Sequence, residues 1–335
     1  MHLDIALESK IGPSEFRELG LLAEQYGFRA IWVQNYSRAP DAFLTAVPLA
    51  LDSKAIKVGV AVVSPYEMHP VKLANSLLTL NEYASGRAAV VITAGGDWTG
   101  VVKAPRGNLL ATRETLEIVR ASLGDEVVNY PGERFQVQAF TTGWKSSAAP
   151  LVYGGAHGPK MLRMMAGITD GLMLSDFQPE MFDSIMPDVD AARAARSSSD
   201  DFRLSNFVSW HVKKDRAESF WEARRELMIR GWLHRRWVSP YLAEEDTEWV
   251  VANPMPFLKA YWARTGDLEG VPEHISDALV EGLTCSGDEQ DLDRHIERLR
   301  AFAAAGFTEI VLGLQDDPAD SIRMLGERVI PALNK

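Results

Sequence analysis

Cysteine is nearly missing from this chain. Cys285 is the only one in 335 residues, so no disulfide forms within the chain and the cytoplasm is the expected compartment. Long apolar runs are missing as well. Stretches such as Val58–Val63 and Ala88–Val91 fall far below the ~20 residues that span a bilayer. The first residues, Met1-His2-Leu3-Asp4-Ile5, alternate and include an acid, unlike a secretory leader. Neither a membrane nor an exported location is expected. Basic charge is in deficit: 35 lysines and arginines stand against 46 acids, a net charge of −11. A phosphate backbone repels such a chain unless its bases gather on one face. The one basic run, Arg224-Arg225 through Arg235-Arg236, is interleaved with Glu222, Glu226, Trp232 and Trp237 and reads as a solvated helix face. Nucleic acid is therefore not an expected partner. The seven histidines show no pair at ligand spacing on one helix and have no cysteine partner, which argues against a metal. No Gly-x-Ser-x-Gly elbow occurs, and the turn Glu8-Ser9-Lys10-Ile11-Gly12-Pro13 lacks the close glycines of a dinucleotide fingerprint.

What is present is a regular alternation of short apolar strands and amphipathic helices. The pattern predicts strands over His2–Leu7, Ala30–Val33, Ile56–Val63, Ala88–Thr93, Leu151–Tyr153, Gly171–Leu174, Leu204–Val212 and Glu309–Leu314. Helices are predicted over residues 14–26, 42–51, 70–84, 109–123, 160–166 and 321–333. A further helix follows Ser286, read as its cap with Glu289 three residues on. Residues 125–149 read as a hairpin and loop, and residues 215–284 as a helical insertion without a strand. Eight strands with intervening helices predict an α/β fold, a single (β/α)8 TIM-barrel domain over residues 1–335 with those two insertions; a doubly wound sheet is the runner-up.

In a barrel the chemistry sits at the C-terminal strand ends. The strongest signal there is Leu151-Val152-Tyr153-Gly154-Gly155-Ala156-His157-Gly158-Pro159-Lys160-Met161-Leu162. Glycines let backbone amides approach an anion, the following helix N-terminus adds partial positive charge, and Lys160 and Arg163 add formal charge. A plain turn with a solvated lysine is the competing reading. Ala94-Gly95-Gly96-Asp97-Trp98-Thr99 is a second permissive loop, where a flat ring meets backbone and Thr99 offers a hydrogen bond. Val63-Ser64-Pro65 adds a hydroxyl, although most such serines are caps.

Three stretches taken together resemble the luciferase-like monooxygenase superfamily, in its branch using the deazaflavin coenzyme F420, across nearly the whole chain except about residues 215–284. They are Val58–Pro65 with His69-Pro70 and Leu80–Arg87; Tyr153–Leu162 with Ala166-Gly167 and Asp170-Gly171; and Gly287-Asp288 with Ala305-Gly306-Phe307 and Ile310–Leu312. The resemblance implies that Ser64 and the backbone at Ala61 and Val62 meet the deazaflavin ring, with a cis peptide between Ala61 and Val62. It implies that Ala94, Gly95 and Thr99 flank the ring, and that Gly154, Gly155, Gly158, Pro159, Met161 and Leu162 hold the cofactor's phosphate. Asn35 stands where relatives carry an acid touching the cofactor, and Asn35-Tyr36 replaces an Asp-His pair. A second acid of the sugar-phosphate enzymes is replaced by Gly96, which argues against glucose-6-phosphate as substrate. Tyr36 holds its proton near neutrality and is the expected acid, with Glu8 and Asp97 as alternative proton carriers. The expected activity is hydride transfer between F420 and an electrophilic C=O, C=N or activated C=C carbon of a small organic substrate. Tyr36, Trp98, Trp144 and Trp210 are expected to form the apolar wall. The resemblance also implies a homodimer. Two readings stand beside it: a flavin mononucleotide (FMN) monooxygenase of the same superfamily, and a cofactor binder without catalysis.

Overall fold

The structure, a computed structural model, describes every residue except 9, 96, 105–107, 198–200 and 335, and describes Asp97 by its backbone alone. Its strands are β1 (His2–Leu7), β2 (Ala30–Gln34), β3 (Lys57–Val63), β4 (Ala88–Thr93), β5 (Val128–Pro131), β6 (Gln136–Phe140), β7 (Leu151–Gly155), β8 (Gly171–Ser175), β9 (Arg203–Trp210), β10 (Thr284–Cys285) and β11 (Glu309–Leu314). Hydrogen bonding orders the main sheet β10-β9-β11-β1-β2-β3-β4-β7-β8, and a further β9–β8 pairing closes it, giving (β/α)8-barrel topology. The paired strands are parallel, and one register row runs Leu7, Val33, Val60, Val90, Val152. Strand ends therefore share an edge, so the C-termini of β1, β2, β3, β4 and β7 all open on the same side.

The chain groups into two compact units. One contains residues 2–173 and 187–205; the other contains residue 1, residues 174–186 and residues 206–335. In the first, β1 to β4 are almost wholly apolar and buried, as expected of strands covered on both faces. Gly59 is required by packing, because a Cβ there would meet the Trp32 ring at 2.2 Å. Trp32 in turn donates to the buried Asp4 carboxylate at 3.2 Å and lies edge-on to Tyr153. The β5–β6 hairpin is held by Glu114, whose carboxylate accepts the amides of Glu133, Arg134 and Phe135 at 2.8–2.9 Å. The predicted hairpin is thus observed.

Several expectations need correction. Ser286 does not cap the following helix. Its hydroxyl is buried against the Thr284 hydroxyl at 2.5 Å, and Asp288 closes a capping box with Asp291 ahead of the helix Leu292–Ala304. The region expected to be strand-free ends in β10, whose two residues are too few to show alternation. Helices Asp97–Val101 and Phe182–Ala194 were not anticipated; the second runs through Pro187, a residue that reads as a helix breaker. The final helix starts at Pro318, three residues early, and passes through a π turn at Leu325–Val329. No described helix is long and apolar enough to cross a membrane.

Candidate functional site

The residues expected at the site, Glu8, Asn35, Tyr36, Ala61, Val62, Ser64, Ala94, Gly95, Asp97, Thr99, Gly154, Gly155, Gly158, Pro159, Met161 and Leu162, belong to one unit and lie in the last residues of β3 and β7 or just after the C-terminal ends of β1, β2, β3, β4 and β7. The Ala61–Val62 peptide is cis, and the β3–β4 register shifts between Ala61 and Val63. The backbone leaves the regular ladder at the place where the resemblance put it.

Just beyond, Asn35 ties two strand ends together. Its amide N–H donates to the Ala61 carbonyl at 2.8 Å. Its side-chain Nδ2 donates to the Val62 carbonyl at 3.0 Å and to Glu67 Oε2 at 2.6 Å. Glu67 Oε1 accepts the Ser64 amide, and the buried Ser64 hydroxyl accepts the Tyr66 amide at 3.4 Å. Burial raises the Glu67 carboxyl above its ordinary value, against the lowering effect of the Ser64 and Asn35 hydrogen bonds; the charge of Asp41 adds to the rise. Sequence reading passed over Glu67. Its position three residues after Ser64, just before His69-Pro70, is the only local hint of the bond.

After β4, Thr93 Oγ1 donates to the Gly95 carbonyl, and Thr99 is buried against Gly95, where an added Cβ would meet Thr99 at 3.1 Å. Asp97 opens the short helix Asp97–Val101; its side chain, like Gly96, lies outside the described residues. After β7, Gly154 and Gly155 have packing reasons to be glycine, since a Cβ would meet Met165 at 2.6 Å and Thr93 at 2.6 Å respectively. Gly158 differs. It is exposed, its backbone is extended (φ −94°, ψ 143°), and a Cβ there would enter open space. It precedes the helix Pro159–Ala166, whose N-terminus no side chain caps. Lys160 and Arg163 on that helix are exposed. Leu162 contributes less than expected: its amide is spent on the Gly158 carbonyl at 2.9 Å and its side chain is fully buried.

Three buried donors near these strand ends have no partner among the described residues: Gln34 Nε2 at the end of β2, Tyr66 Oη after β3 and Trp98 Nε1 after β4. Buried polar atoms nearly always find partners, so such a group calls for a ligand or water. Of the expected aromatic wall, Tyr36 and Trp98 are half-buried at strand ends and Trp144 is exposed beyond the hairpin. Trp210 is buried in the core, edge-on to His295, and does not line a wall.

In the other unit the strand ends carry dense polar chemistry. Ser209 Oγ lies 2.7 Å from His211 Nε2, and His211 Nδ1 lies 2.6 Å from Glu222 Oε1. The order is that of a serine-hydrolase triad, but the three residues are at most 1 % exposed, so no substrate reaches the hydroxyl. Among the described residues no group of three metal-ligating side chains converges.

Residues 2–309 match the luciferase-like monooxygenase family. The chain is 31 % identical over 328 residues to a 5,10-methylenetetrahydromethanopterin reductase of Archaeoglobus fulgidus, covering 93 % of each. It is similar in structure to a coenzyme F420-dependent tetrahydromethanopterin reductase from Methanopyrus kandleri, with a TM-score of 0.79 at 20 % identity and 99 % of each chain covered. It also resembles an F420-dependent secondary alcohol dehydrogenase solved with an F420–acetone adduct, with a TM-score of 0.76 at 19 % identity, covering 100 % of this chain and 99 % of the other.

Proposed function

Because the chain belongs to the luciferase-like monooxygenase family, we propose that it is an F420-dependent oxidoreductase acting on the C=O, C=N or activated C=C carbon of a small organic substrate. One observation carries the reading. The uncapped N-terminus at Gly158 and the unpartnered donors Gln34 Nε2, Tyr66 Oη and Trp98 Nε1 follow strand ends on one edge of one unit. A ligand with an anionic tail and a polar ring answers both. The amides of Lys160 and Met161 hold the tail's phosphate, helped by the helix dipole and by the charges of Lys160 and Arg163. Gly154, Gly155 and Pro159 shape the approach to that turn. The ring rests on Ala61, Val62 and Ser64, flanked by Ala94, Gly95 and Thr99, with Asn35 fixing the end of β3.

When bound, the deazaflavin supplies the hydride. The chain orients the acceptor, excludes water from it and carries protons; Tyr36, Glu8 and Asp97 are the proton carriers of this reading. The relatives' activities favour F420 over FMN, and the reductase from Archaeoglobus fulgidus favours an acceptor of the methylenetetrahydromethanopterin type. The reading includes a cytoplasmic location and a homodimer, the latter tested by sedimentation velocity.

Fluorescence titration of the purified chain with F420 and with FMN tests the proposal. F420 is expected to bind at least tenfold more tightly, a difference of about 1.4 kcal/mol or more. Tighter binding of FMN supports the monooxygenase reading instead, and binding of neither overturns both. F420 binding with no oxidation of its reduced form by any acceptor supports a binder without catalysis.

A further inference from the structure

Asn35 was expected to meet the cofactor, yet both hydrogens of its side-chain amide are engaged within the chain, one on Val62 and one on Glu67. The group beside it that keeps hydrogen-bonding capacity is the Glu67 carboxyl. Its oxygens accept the Ser64 and Asn35 N–H groups, and the Ser64 hydroxyl adds a third bond, so one of its four lone pairs is left. The side chain is half-buried in the loop that follows the cis peptide, so part of it still meets solvent. We infer that Glu67 is the ionisable contact of the F420 pocket: its carboxyl, fixed by Asn35 and Ser64, faces the bound ligand and becomes more fully protonated, drawing a fraction of a proton from solvent, as the ligand seats. The inference rests on the F420 reading above.

The physical argument concerns what covers the carboxyl. Burial already disfavours its charged form, and Asp41, the ionisable group that acts on it across space, adds like-charge repulsion; the Ser64 amide, the Asn35 side chain and the Ser64 hydroxyl oppose both. A ligand laid over the loop removes the remaining water without adding a cation, which tips this balance toward the neutral acid. The proton taken up then sits beside the site where an acceptor is reduced. By reciprocity, a ligand that raises the pKa of Glu67 binds more tightly at low pH, and a rise of half a unit makes the affinity about threefold greater.

Calorimetric titration with F420 in buffers of different ionisation enthalpy counts the protons, and fluorescence titration between pH 5 and 7 gives the affinity. The wild-type chain is expected to take up protons on binding and to bind F420 about threefold more weakly at pH 7 than at pH 5. In Glu67→Gln this part of the uptake and of the slope disappears while binding persists. In the transposed double variant Asn35→Asp with Glu67→Gln, which keeps one acid and one amide, it returns. Circular dichroism melting of each variant checks that the fold is retained. Equal proton uptake in wild type and Glu67→Gln, or proton release on binding, overturns the inference while leaving the F420 reading intact. A transposed variant that behaves like the single one overturns the pairing of Asn35 with Glu67. Failure of the wild-type chain to bind F420 overturns the F420 reading and this inference with it.

Discussion

The two units present strand ends of the same topology and treat them in opposite ways. After β9 and β11, polar side chains are consumed by one another. Glu222 takes His211 at 2.6 Å and Lys213 at 2.9 Å, Lys213 reaches the Asp316 carbonyl at 2.8 Å, and Arg225 binds Asp316 at 2.7 Å. After β8, Asp176 is paired at 2.6 Å with Arg230, which is itself buried. These bonds anchor residues 215–230 to the strand ends of their own unit. After β2, β3, β4 and β7 the polar atoms are fewer: among the described residues Gln34 Nε2, Tyr66 Oη and Trp98 Nε1 lack partners, as Gln178 Oε1 and Trp210 Nε1 do in the other unit, but here a helix N-terminus is also uncapped and Lys160 and Arg163 stand exposed. Charges already paired with one another have little left for a ligand, whereas an uncapped helix N-terminus beside exposed bases gains free energy when an anion completes it. Density of catalytic-looking residues is thus a poor guide to the site; charge and backbone donors left open at a strand end are the better one.

The sharpest way to break this contrast is to cut the ion-paired side. Glu222→Ala leaves His211 and Lys213 without their carboxylate in a buried setting, which is expected to cost about 3–5 kcal/mol of stability, read by urea unfolding. A loss under about 1 kcal/mol would mean the network is not holding its unit together. On the side of the open helix N-terminus the effect moves from stability to binding. Gly158→Glu places a carboxylate at the helix N-terminus on a Cβ that meets nothing within 4 Å, so the fold should tolerate it. F420 affinity is expected to fall about 100-fold or more, near 2.7 kcal/mol, with the melting temperature unchanged. Unchanged affinity would remove the phosphate from this turn.

A third test uses pH. His295 is fully buried, and burial, aided by the charges of Arg298 and Arg294, lowers its pKa to about 4 from 6.5; the Ser286 carbonyl at 3.0 Å opposes this only in part. A base that is harder to protonate when folded contributes stability that is complete above its unfolded value of 6.5 and is lost as pH falls toward about 4. The loss by pH 5 is about 2 kcal/mol. His295→Gln should flatten the urea stability profile between pH 6.5 and 5 relative to wild type. Parallel profiles would show that His295 is not what acid attacks first.

How much of this was readable in advance depended on the range over which each signal acts. The eight main strands and most helices were recovered to within a residue or two because alternation and helical spacing are local, as for Ile5 and Leu7 in β1 or the helix Leu109–Leu123. The Gly158-Pro159 turn was legible for the same reason. The cis peptide at Ala61–Val62 came from resemblance alone; nothing in those two residue types dictates it. Long-range pairings were hidden: Arg225 and Asp316 are 91 positions apart, and Asn35 and Glu67 are 32 apart. The basic run at residues 224–236 was misread in part as solvated, since Arg225 and Arg230 are buried in ion pairs that residues outside the run supply or complete. The unpartnered donors were beyond reach, because satisfaction is a property of neighbours in space.

The smallest expected effect separates the two ways in which the helix after β7 would hold the proposed anion. In that proposal its backbone amides and its lysine both serve the phosphate, but they differ in reach and in response to salt. Lys160 is exposed, and an exposed charge contributes only about 0.5–1 kcal/mol to a contact. Lys160→Ala should therefore weaken F420 binding about two- to fivefold, against about 100-fold for Gly158→Glu. Raising ionic strength shortens the Debye length from about 10 Å at 0.1 M to about 3 Å at 1 M, so the lysine's share should vanish in high salt while the amides' share persists. Isothermal titration of both chains at 0.1 and 1 M salt reads this directly. Should Lys160→Ala lose as much affinity as Gly158→Glu, the grip on the tail is a charge pair and the helix N-terminus is incidental; should it lose nothing at either salt, the amides hold the anion alone.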